Sequence, residues 1–267
     1  MEIYYKIFNS SKELADFCVN QPKVYREYSS DNDLTRKSEE KLRFGDQIIV
    51  EALKAPLKTF GYKKTISYDF AGQKPIVQRA VQSNPYAFQN VKKQYKENKF
   101  VTIIFDQTVP WHYSASKMTE NGKKVLATLK YMEQNGYRIK LLACAGASIN
   151  RRSDSKANML LLKLKDYHEP FSLSRISFPI ANAEFLRNVF FSWTDRDPNC
   201  CDLGSNYGYA LGLDHNDITL GHQMSSLLGT ACVYVTNFTA EKDNFVEKLI
   251  ENSEKLLQLG HKTGKKY

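Results

Sequence analysis

One stretch limits what this chain can fold into more than any other. Phe100-Val101-Thr102-Ile103-Ile104-Phe105 is a continuous apolar run, as expected of a strand buried on both faces. Asp106 ends it. After a loop holding Pro110, Trp111 and His112, residues 114–134 carry helical periodicity through Met118, Val125, Leu126, Leu129 and Met132. Asn135-Gly136 then supplies a left-handed stop. Tyr137 to Ala145, YRIKLLACA, is a second buried strand. Strand, helix and strand joined by a short return predict a right-handed parallel crossover, and with it an α/β sheet.

The rest of the chain extends this pattern. Asn158 to Lys165 reads as a third strand, and residues 171–191 as two short helices around Pro179. Tyr209 to Leu213 and Ala231 to Thr236 read as further strands, with a helix over 220–228 between them. A last helix is predicted from Ala240 to Leu259, with Thr239 as N-cap. Residues 99–267 thus alternate β and α, predicting a mostly parallel sheet with helices on both faces. Residues 1–98 read as an α+β annex. It has a helix beginning at Ser11 with that serine as N-cap, a second over Lys37 to Leu57, and an alternating strand, KKTISYDF, ending at the Ala71-Gly72 turn.

Composition closes several routes. Aromatic and β-branched residues run through all 267 positions, which excludes dominant disorder. No stretch approaches ~18 apolar residues, so no membrane helix or membrane partner is expected. The opening MEIYYKIFNSSKEL has neither the basic nor the apolar region of a secretory leader. The five cysteines are odd in number and form no CxxC, against a disulfide framework or a zinc knuckle. Cys144 and Cys232 lie in apolar runs and are expected as buried strand thiols, and the cytoplasm is the expected compartment. The formal net charge is +9, and residues 1–100 carry two-thirds of that excess. Such a balance is compatible with a nucleic-acid or other anionic partner.

The candidate chemistry sits where strands end, because an open α/β sheet meets its ligands at the carboxyl ends of its strands. Asp106-Gln107-Thr108-Val109-Pro110 places a carboxylate and a hydroxyl two residues apart, hard oxygens suited to a divalent cation such as Mg²⁺. Here the segment resembles a von Willebrand factor A-like domain, whose metal-dependent adhesion site opens with Asp-x-Ser-x-Ser after that strand. Thr108 matches the first hydroxyl, while Pro110 stands at the second. The resemblance implies a Rossmann-like fold and a metal set of Asp106 and Thr108, with Ser114 or Ser116 supplying oxygen and Asp214 as the later-strand acid. The alternative is that Asp106 caps a turn and Asp214-His215-Asn216-Asp217 is a polar loop.

Two longer strings resemble a family of phage-encoded, von Willebrand A-like proteins of unknown function. One is LLLKLKDYHEPFSLSRISFPIANAEFLRNVFFSW, through Lys163, Lys165, Pro170, Phe185, Leu186 and Arg187. The other is SYDFAGQKPIVQRAVQSNPYAF, through Gly72, Pro75, Val77, Arg79 and Pro85. The resemblance implies a fold and a viral origin, hence a host-cell cytoplasm, but no activity.

Three readings of function follow. The first is a non-enzymatic module that binds a protein partner, with a cation at Asp106 completed by the partner's carboxylate. The second is nucleic-acid binding by the annex through Lys63, Lys64, Arg79, Lys92 and Lys93, with Tyr86 and Tyr95 stacking on bases. The third, a metal-dependent phosphate-ester hydrolase at the Asp106 rim, needs a further acid. Asp195, Asp197 and Asp202 around Cys200-Cys201 lack a histidine at ligand spacing. His112 has no identifiable nucleophile, and His222 reads as a packed or capping side chain. No nucleotide-binding, hydrolase or metalloprotease signature is present.

Overall fold

The computed structural model describes residues 2–25, 35–53, 64–71, 74–93, 99–150, 156–204, 208–211 and 224–262. The chain divides into two compact units, residues 1–55 with 99–267, and residues 56–98. This differs from a division at residue 98, because the first strand is part of the main sheet. β1 (Glu2–Phe8) runs parallel to β7 (Lys156–Lys165), from Glu2 opposite Lys156 to Phe8 opposite Leu162.

The main sheet has six strands in the order β1-β7-β6-β5-β9, with the two-residue β8 (Tyr209–Ala210) against β6. β5 (Lys99–Asp106) lies parallel to both β6 (Tyr137–Ser148) and β9 (Cys232–Thr236). The expected crossover is present: α5 (Ala115–Gln134) links β5 to a parallel β6 and stops at Asn135-Gly136. β7 is antiparallel to β6. The seven-residue link between them, 149–155, is too short for a parallel crossover, which needs about a dozen residues.

Alternation along the buried strands splits the core into two clusters. Ile103 and Phe105 join Leu141, Leu160 and Leu162 under α1 (Ser11–Asn20), α2 (Arg36–Phe44), α5, α6 (Leu173–Ala181) and α7 (Phe191–Thr194). Ile104, Leu142, Cys144 and Leu161 face the other way, against Leu211 and the helical residues 224–228. Helices therefore flank both faces, with most of the described ones on the first. Cys144 and Cys232 are buried strand thiols, as expected, and all five cysteines are free.

Local chemistry moves several helix ends. Ser10, not Ser11, caps α1 by accepting from the Glu13 amide. The expected helix over Lys37 to Leu57 is two: Gly45, at φ +87°, interrupts it between α2 and α3 (Gln47–Leu53). The close approach of Gly45 to the Ser174 carbonyl leaves no room for a side chain. The last helix is also split. Thr236 caps a short helix, Asn237–Glu241, in a reciprocal box with Thr239, and the long helix begins at Phe245. Pro179 lies inside α6, and a π-helical turn, Phe185–Phe190, leads directly into α7.

The smaller unit is a three-stranded antiparallel sheet of β2 (Lys64–Asp69), β4 (Phe88–Lys93) and β3 (Lys74–Pro75), plus the short α4 (Val77–Val81). Its 43 residues hold eight Lys and Arg against Asp69 and Glu97, so two-thirds of the chain's net charge of +9 belongs to it.

Candidate functional site

Asp106 ends β5 in the middle of the sheet, opposite Cys144 of β6 and Thr236 of β9. It is buried, and its carboxylate is held by protein donors. Oδ1 accepts from the Thr108 amide at 2.8 Å and the Thr108 hydroxyl at 2.5 Å; Oδ2 accepts from the Tyr234 hydroxyl at 2.5 Å. Thr108 Oγ1 in turn accepts from the Gly146 amide at 2.8 Å. Burial first, then the neighbouring Asp106 carboxylate, pushes the Tyr234 phenol well above its ordinary value. Burial does the same to the Cys144 thiol. Asp106 and Thr108 are thus brought together as expected. Tyr234, which the strand pattern did not single out, completes the group.

This network shapes the loop that follows. The Gln107 side-chain amide donates to the carbonyls of Pro179 and Ile180, and its backbone amide donates to Cys144 at 2.8 Å. Val109 is buried. At the far end the Tyr113 hydroxyl bonds Glu241 and accepts from Asn121 at 2.9 Å, while its ring meets Phe238 edge-on. Burial, then the Glu241 carboxylate, pushes the Tyr113 phenol up; the Lys117 ammonium and that phenol hold Glu241 below the usual carboxylate range. Between these anchors Trp111 stands 92% exposed, with His112 edge-on to its ring at 5.6 Å. A large apolar ring left in water on a loop tied at both ends is an ordered protrusion.

Beside the loop lies an open groove of about 640 Å³. Ser116, Thr119 and Lys123 of α5 line one side, and Asn182, Glu184 and Arg187 the other. Arg187 sits on the π-helical turn, and its guanidinium donates to the Tyr113 carbonyl at 3.1 Å, which joins groove and loop into one face. Ser114 caps α5 through the Lys117 amide, and its hydroxyl lies 2.6 Å from that of Ser116. Both serines are exposed at the helix start.

The other candidates are placed as follows. Asp214, His215 and His222 lie outside the described residues, as do Lys63, Gly72 and Tyr95. Asp197 is a buried tie: its carboxylate accepts from Lys6 at 2.9 Å, Tyr4 at 3.2 Å, Trp193 at 3.1 Å and the Asn199 amide at 3.1 Å. Burial alone would raise its pKa, but the Lys6 ammonium and the other donors hold it below the ordinary value. Lys165 is buried and paired with Glu133 at 2.7 Å. Among the described residues no group of three His, Cys, Asp or Glu is placed to hold a metal ion. Nor is any described helix long and apolar enough to cross a membrane. In the small unit, Arg79 lies over the Tyr68 ring, 3.7 Å from its centroid, and Phe70 meets Tyr86 at 4.7 Å. Lys64 pairs in register with Lys93, and Lys92 with Thr65.

Fold and site together define a mixed α/β protein with a largely parallel sheet flanked by helices and a built loop at the carboxyl end of its central strand. Residues 2–259 match a domain of unknown function, DUF7192, and the chain belongs to that family. No curated protein and no solved structure matches it.

Proposed function

We propose that the chain is a non-enzymatic, phage-encoded, von Willebrand A-like protein that acts as a protein-interaction module, docking a protein partner on the face formed by the Trp111 loop and the adjoining groove. The lineage and viral origin rest on the string resemblances; the docking role rests on Trp111. A tryptophan is the side chain that contributes most at the centre of interfaces, and here it is 92% exposed on an anchored loop. Because the loop is ordered before binding, little conformational entropy remains to be lost on docking. The groove adds charge of both signs through Lys123, Arg187 and Glu184, which suits selection of orientation more than affinity.

The metal-bridged form of this reading places Mg²⁺ at Asp106 and Thr108. A cation there must displace the hydroxyl protons of Thr108 and Tyr234 from the carboxylate. Docking through Trp111 makes no such demand. The test is affinity capture with wild-type protein, Trp111→Ala and Asp106→Ala, each with Mg²⁺ or with chelator. Docking by the ring predicts a partner lost from Trp111→Ala and retained in chelator. The same partner captured equally by folded Trp111→Ala removes the reading. Saturable Mg²⁺ binding by calorimetry, abolished in Asp106→Ala, would restore the metal-bridged form.

A further inference from the structure

We infer that the unit formed by residues 56–98 is a binding platform for single-stranded nucleic acid, a second contact surface beyond the docking face proposed above. Three independent observations converge on it.

The first is charge. Eight cationic side chains against two anionic ones in 43 residues is a density the rest of the chain does not approach, since its 224 other residues hold 30 against 27. In backbone register Lys64 stands opposite Lys93, and Lys92 opposite Thr65. A polyanion bound to a unit with this excess of cationic residues would release its own counterions.

The second is exposed aromatic surface. Tyr68 is 42% exposed, Phe70 63% and Tyr86 47%. Among the described side chains of this unit only Ala87 is buried. These three rings keep between 42% and 63% of their surface in water. Tyr68 lies on β2, and Phe70 follows directly after that strand ends at Asp69. Aromatic faces offered to solvent beside cations fit nucleobases, whose π-faces stack whatever the sequence.

The third is the arrangement of the rings. The Arg79 guanidinium carbon lies 3.7 Å from the Tyr68 ring centroid, so one cation is already fixed beside a stacking surface. Phe70 and Tyr86 support each other at 4.7 Å with their planes 48° apart. Duplex DNA is disfavoured as ligand, because paired bases hide their faces and α4, the one helix among the unit's described residues, has five residues, too few to read a groove. An acidic protein would satisfy the lysines but would leave the rings without a stacking partner.

The experiment uses the full chain and fluorescence anisotropy with labelled oligothymidylate and oligouridylate, a duplex of the same length, and polyglutamate as the acidic-protein mimic. The single strands are expected to bind tighter than duplex and polyglutamate, with affinity falling steeply between about 50 and 200 mM salt. Phe70→Ala and Tyr86→Ala should each weaken single-strand binding about tenfold while leaving the salt slope unchanged. Tyr86→Trp, which keeps a stacking face, should retain it. Lys92→Glu with Lys93→Glu should weaken binding and flatten the salt slope. Far-UV circular dichroism of each variant separates lost contact from lost folding. Equal affinity for polyglutamate and oligothymidylate, or tight binding indifferent to both ring variants, overturns the inference in favour of a simple anionic docking patch. Absence of binding to every polyanion at low salt overturns it altogether.

Discussion

The two units of this chain use their aromatic residues in opposite ways. In the main unit Trp193, Phe105, Phe178, Phe185 and Phe190 are fully buried, and Phe178 meets Phe185 edge-on at 6.4 Å. In residues 56–98, a segment with an excess of cationic residues, Tyr68, Phe70 and Tyr86 remain exposed. The difference teaches that composition alone misassigns aromatics. A ring stabilises a fold when enough neighbouring surface closes over it, and 43 residues enclose far less than 224. Where closure fails, the same ring stays in water, as Trp111 does inside the first unit at 92% exposed.

Four measurements sharpen or break this contrast, given from the largest expected effect downward. Trp193→Ala should cost about 3–5 kcal/mol in urea unfolding, since the ring is fully buried and donates to Asp197. A loss below about 1 kcal/mol would mean that the main core is not closed around it. Gly122→Val should cost about 1–3 kcal/mol or more, because even a Cβ would stand 2.4 Å from the Ala181 backbone where α5 crosses α6. A neutral result would show that the two helices can separate freely.

Acid should act on the main unit through Asp197. Its folded pKa is depressed, so its contribution is present above the ordinary carboxylate value and is lost as pH falls through the folded value. Asp197→Asn should therefore be less stable at neutral pH and flatter toward acid in thermal melts. An unchanged acid slope would assign acid lability to other carboxylates. Smallest of all, Trp111→Ala should shift stability by no more than about 0.5 kcal/mol, since its ring is 92% exposed. A larger loss would show that the ring packs against the fold.

Much of the fold was legible because burial leaves a local trace. The run Phe100 to Phe105, the helical period to Met132 and the Asn135-Gly136 stop required a parallel crossover, and β5, α5 and β6 form one. The antiparallel turn of β7 was implicit in a seven-residue link. Helix ends were less legible: Ser10 and Ser11, or Thr236 and Thr239, carry the same capping chemistry, and only backbone geometry chooses between them. Of the candidate site, Asp106 and Thr108 were readable from spacing two residues apart. Tyr234 and Arg187 were not, since their partners are 128 and 74 residues away in the chain.

The sequence by itself determined the alternation of buried strands and amphipathic helices, the free cysteines and the overall positive charge. Those properties depend on side-chain period and type, which a linear text records. Only the tertiary structure decided that the first strand joins the main sheet and that the basic excess belongs to a separate 43-residue unit. It alone decided, too, that Trp111 protrudes while Trp193 is enclosed. Each of these depends on which distant segments close over a residue, and that is fixed by the sum of many long-range contacts rather than by neighbours in the chain.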